Sequence, residues 1–144
     1  MPRPTNDLIA SARQQTTRIW WQNNADNFRL FTSEVVHFEA GKGDPQMAHA
    51  RLEFIASIPR VPVTAESHQL ADKLLSCGVI SAKAKTDALH LAIATVHHLD
   101  FLVTRNCRHL ANGEISRQVV NFFRQIGYTP PYMCTPDGLP GVIP

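Results

Sequence analysis

Hydrophobic and polar positions along this chain switch between a helical and an extended period. Leu8, Ile9, Ala12, Ile19 and Trp20 recur at helical spacing, which predicts a first helix over 7–23, capped by Asn6. The polar run Gln22-Asn23-Asn24 breaks it, and Phe28-Arg29-Leu30-Phe31 reads as a short buried strand. Ser33-Glu34 opens a second helix that ends near Gly41 and Gly43. Asp44-Pro45 is an N-cap followed by proline at the first helical position, so a third helix is predicted through Ala56. Arg60-Val61-Pro62-Val63 reads as a strand whose proline suits a sheet edge. Thr64-Ala65-Glu66 starts a helix that stops at Gly78, and after a brief polar link comes a helix around Asp87. Phe101-Leu102-Val103 is a compact apolar strand. Asn112 caps a last helix that runs to Gln125 and ends at Gly127, and the tail from Pro130 onward, with five prolines, reads as irregular.

Strands separated by helices imply an α/β domain with a mainly parallel sheet covered by helices on both faces. There is no internal repeat, low-complexity tract or linker, so residues 1–144 are expected to form a single domain. A hydrophobic content of 44% suffices for an ordinary globular core. The formal charge of +2 permits an anionic partner without demanding one, and seven histidines make the surface more basic below neutrality. Three cysteines at positions 77, 107 and 134 are odd in number and widely spaced, which is no disulfide framework. With no basic-plus-apolar leader and no apolar run of membrane-spanning length, a cytoplasmic protein without a membrane partner is expected.

Thr86-Asp87-Ala88-Leu89-His90-Leu91-Ala92-Ile93-Ala94 sets one carboxylate and one imidazole on an otherwise apolar helix. At about 100° per residue, Leu89, Ala92, Ile93, Val96 and Leu99 gather on one side, while Asp87, His90, Ala94 and His97 share the other. Asp87 is thus expected to face away from the main packing surface. A carboxylate inside a protein is costly unless paired or metal-bound, so it marks a candidate site; complementing the helix dipole is its structural role.

Ligands in parallel α/β sheets collect at the carboxyl ends of the strands. Glu34 follows the first strand, and Thr104-Arg105-Asn106-Cys107-Arg108-His109 follows the strand at Phe101. With Asp87, residues Glu34 and Asn106 form a candidate set of hard oxygen ligands of the kind Mg2+ and Mn2+ prefer. Arg105, Arg108 and Lys85 are the matching candidates for phosphate contacts. Each also has a structural role open to it: Glu34 in a helix cap, Asn106 as a turn former, the arginines as solvated surface. A zinc site from Cys107, His109, His90, His97 and His98 lacks the close paired spacing such sites use. His90 suits a hydrogen-bonding role beside the acid.

Taken jointly, Ser33-Glu34-Val35-Val36, the Asp87-Ala88-Leu89-His90 helix, the block from Asp100 through Thr104-Arg105-Asn106-Cys107-Arg108-His109 to Asn112, and Tyr132-Met133-Cys134-Thr135-Pro136 closely resemble the PIN domain, in its VapC-related branch. The resemblance covers about residues 7–139. It implies a three-layer α/β/α fold and a Mg2+- or Mn2+-dependent endoribonuclease that hydrolyses RNA phosphodiester bonds, in some relatives as the toxin of a toxin–antitoxin pair. On that basis Glu34 and Asp87 match the second and third family acids, and Asn106 takes the place of the fourth. The implied partners are RNA, an antitoxin protein and a second copy of the chain.

The family's opening central strand, with its terminal acid, has no counterpart before the helix over 7–23. Such a gap would unpair two strand edges and remove one metal ligand. The alternative expectation is therefore a catalytically impaired PIN-like domain that binds RNA or protein.

Overall fold

The computed structural model describes residues 28–103 and 113–134, so the helix expected over 7–23 lies outside the described residues. The element order is β1 (Thr32–Ser33), α1 (Glu34–Ala40), α2 (Pro45–Ile55), β2 (Arg60–Val61), α3 (Ala65–Ser76), a 3-10 turn (Ala82–Ala84), α4 (Lys85–Val96), β3 (Phe101–Val103), α5 (Gly113–Gln125) and β4 (Tyr132–Cys134). The described part is a mixed α/β structure in which every strand pairing is parallel. β1 lies on β2 with Thr32 opposite Arg60 and Ser33 opposite Val61. β3 lies on β4 with Phe101, Leu102 and Val103 opposite Tyr132, Met133 and Cys134.

Local chemistry accounts for the helix ends. Ser33 closes β1 and caps α1, its Oγ accepting from the Val36 N–H. Asp44 Oδ2 accepts from the Met47 N–H with Pro45 in the first turn of α2, as the Asp-Pro pair predicts. Thr64 and Ser67 form a reciprocal capping box at the start of α3. At the end of α5, Gly127 takes φ +87°, a left-handed conformation that side chains resist. The Tyr128 N–H then reaches back to the Phe123 carbonyl at 2.8 Å, and the two rings meet with centroids 6.2 Å apart. That is a Schellman end with its hydrophobic contact.

Three expectations are corrected. The strand expected over 28–31 lies at Thr32–Ser33, because the Thr32 N–H donates to the Pro59 carbonyl and this register leads into β2. Phe28 and Leu30 pack instead over the strand pair β3–β4, with Phe28 edge-on to Phe101 at 6.3 Å. The tail from Pro130 contains β4, a three-residue strand hidden in the sequence between prolines and made by pairing with β3. The third correction concerns α4, which is buried around most of its circumference and not along one stripe. Ala88, His90, Leu91, Ala92, Ile93, Ala94 and Thr95 are all buried, so of the stripe assigned to the outer side His90 and Ala94 are inside, while Asp87 and His97 are half-buried. A helix apolar nearly all round belongs in a core. β2 stops at Val61, since Pro62 has no N–H to donate, and the Pro62 carbonyl accepts from His97 Nε2 at 2.7 Å.

One hydrophobic cluster joins Val36 of α1, Ile55 of α2, Leu70 and Leu74 of α3, Leu91 of α4, Leu102 of β3 and Phe123 of α5. A smaller one forms where Val103 meets Cys134. Among the described residues no helix is long and apolar enough to cross a membrane.

Candidate functional site

The seven-residue helix α1 carries two acids that its geometry sends in different directions. Glu34 and Glu39 are five residues apart, about 140° around the helix axis. Glu34 sits exposed at the first helical position, and its Oε1 accepts from Arg60 Nη1 of β2 at 2.8 Å. Both side chains of that pair are largely solvated, so it is a surface ion pair of small energetic weight. Beside it, His37 Nε2 lies 3.2 Å from Thr32 Oγ1. Partial burial, reinforced by the Arg60 charge and opposed by Glu34, holds the His37 pKa below its ordinary value.

Glu39 takes the other direction. It follows the buried Val36 by three residues, on the same inward stripe, and its Oε1 lies 2.5 Å from His90 Nε2 of α4. The His90 side chain is 5% exposed and that of Glu39 34%. This contact joins residues 51 positions apart and ties α1 to α4. Because an ionised carboxylate has no proton to give, the proton is assigned to Nε2. The other ring nitrogen, Nδ1, is buried and has no hydrogen-bond partner among the described residues.

Asp87 is the third residue of α4, half-buried, one turn before His90 and on the same side of the helix. Lys85 is exposed at the first position. Arg105, Asn106 and Arg108, with Cys107 and His109, fall outside the described residues.

The structure thus brings Glu39, which sequence reasoning passed over, to the helix of Asp87, and sends Glu34 to Arg60. The sequence held a signal for this: Val36 and Glu39 share a helical spacing, whereas attention to the strand end favours Glu34. Among the described residues no group of three His, Cys, Asp or Glu side chains comes close enough to hold a metal ion. Glu39 and Asp87 are nonetheless hard oxygen donors, the chemistry Mg2+ and Mn2+ take, and Oε2 of Glu39 is left by the His90 bond for another partner. No protein-family model matches this chain, and no curated protein matches it.

Proposed function

We propose that this protein is a PIN-type endoribonuclease of the VapC-related kind, dependent on Mg2+ or Mn2+, with a toxin role implied by the same resemblance. The observation that supports it most is the Glu39–His90 contact. It joins α1, with its part-buried acid, to α4, where Asp87 lies one turn before His90. Both carboxylates are partly withdrawn from water on the two helices that this contact joins, and both are hard oxygen donors of the kind Mg2+ and Mn2+ take.

In this reading β1–β2 and β3–β4, two separate two-stranded sheets among the described residues, are parts of a three-layer α/β/α arrangement, supported by the parallel pairing within each. Glu39 and Asp87 hold the ion, with Asn106 assisting. When bound, Mg2+ or Mn2+ supplies charge neutralisation at the phosphodiester and lowers the pKa of the attacking water. Arg105, Arg108 and Lys85 hold backbone phosphates, contacts that give affinity without reading bases. An antitoxin and a second copy of the chain belong to the same proposal as partners.

Cleavage of a labelled single-stranded RNA, with Mn2+ or with EDTA, tests the reading. Cleavage should require the metal and fall by roughly 100-fold or more in Asp87→Asn and in Glu39→Gln, since each removes charge that supports the transition state. Glu34→Gln, measured alongside, separates the two acids of α1: the larger loss is assigned to Glu39→Gln. Undiminished cleavage in Asp87→Asn sinks the mechanism. A folded protein that cleaves nothing favours an impaired PIN-like domain that binds RNA or protein.

A further inference from the structure

We infer that His90 is a positioning residue: its Nε2–H holds Oε1 of Glu39, so that Oε2 is the oxygen Glu39 presents to a divalent cation. The inference rests on the nuclease reading above and assigns His90 a role in it that is distinct from ligation.

The imidazole is held in place by its surroundings. Its side chain is 5% exposed, and its helix neighbours Leu91 and Ala94 are fully buried. With Nδ1 lacking any partner among the described residues, the bond to Glu39 is the ring's one polar anchor there. Glu39 is the opposite case, a flexible side chain that is a third exposed near the end of a short helix. Left to itself, such a carboxylate would sample many rotamers. A fixed donor on one oxygen removes most of them and leaves the other oxygen in a defined place.

His90 is poorly suited to bind the cation itself. Its Nε2 is engaged by Glu39 and its Nδ1 is buried. Hydrogen-bonded partners behind a ligating carboxylate typically change metal affinity by roughly 10- to 100-fold when removed. A role confined to tying α1 to α4 would change stability instead, and affinity only in proportion to unfolding.

The test is Mn2+ binding to the full chain, followed by electron paramagnetic resonance of the free ion, with thermal melting of each variant. His90→Leu fills the space without a donor and should weaken binding by roughly 10- to 100-fold. His90→Gln offers an amide N–H near the position of Nε2 and should recover binding to within a few-fold of the unsubstituted protein. Wild-type binding in His90→Leu, with binding lost in Glu39→Gln, overturns the role of His90 and leaves the nuclease reading standing. Equal weakening in the Leu and Gln variants also overturns it, since a donor then makes no difference. No Mn2+ bound by the unsubstituted protein overturns the metal reading and this role with it. Should His90→Leu fail to fold, the imidazole 15N spectrum of the unsubstituted protein decides instead. Saturating Mg2+ should shift the Nε2 resonance of His90, and an unmoved resonance overturns the inference.

Discussion

The Tyr128 hydroxyl donates to Oε2 of Glu66 at 2.6 Å, linking the turn after α5 to the first turn of α3 across 62 residues. The hydrogen bond to Glu66 raises the Tyr128 pKa above its ordinary value, with slight burial and the Glu66 charge adding to it. Neutral tyrosine is thus favoured in the folded state. The contribution is present below pH ~10 and is lost as pH rises through the folded-state value. Spectrophotometric titration of the phenol should show a late-titrating tyrosine that returns towards its ordinary value in Glu66→Gln.

Cysteine reactivity should divide by burial. Burial pushes the Cys134 thiol up to about 12, whereas Cys77 is exposed at the end of α3. Since the thiolate is the nucleophile, iodoacetamide at neutral pH should modify Cys77 readily and leave Cys134 unmodified until the protein unfolds. Peptide mapping by mass spectrometry reads both sites, and early labelling of Cys134 would contradict its burial against Val103.

His37 should make the fold acid-sensitive. Its lowered pKa, caused first by burial and then by Arg60, means that the unfolded chain binds the proton more readily than the folded one. Its contribution is present above the unfolded value of ~6.5 and is lost as pH falls through the lower folded value. Denaturant unfolding at a series of pH values should show stability declining below ~6.5, and His37→Gln should flatten that decline.

The left-handed residue after α4 is open to improvement. His98 takes φ +57°, with its N–H on Thr95 and the Leu99 N–H on Ala94, the Schellman pattern without its usual glycine. That conformation costs a side chain about 1–2 kcal/mol, while glycine loses about 0.4–1 kcal/mol more chain entropy on folding. His98→Gly should therefore stabilise by about 0.5–1 kcal/mol, or about 2–4 °C in Tm, measured by thermal melting.

What could be read from the sequence follows from how local each cause is. The caps at Asp44 and Thr64, the proline after Val61 and the glycine after α5 act within a few residues, and each does in space what its spelling implies. β4 depends on β3, 31 residues earlier at the Phe101–Tyr132 pair, and its own three residues carry too little pattern to announce it. The two-sided reading of α4 failed because alanines such as Ala88 and Ala94 count weakly as apolar in a pattern, yet they are the residues that let other elements approach closely. Of the candidate site, Asp87 and His90 were legible because a polar group on an apolar helix stands out. Glu39 was not, because its meaning lies in a contact with a residue 51 positions away.

Strand pairs of two and three residues cannot hold themselves together, and both depend on the helices packed against them. Because the middle of α4 is enclosed by the same cluster that takes side chains from the helices before and after it, that stretch cannot open without opening the interior, whereas Lys85 and Thr86 at its start are exposed. Its amide protons from Leu91 to Thr95 should therefore exchange with solvent only when the core around them unfolds, so their exchange rates give the stability of that core from one helix.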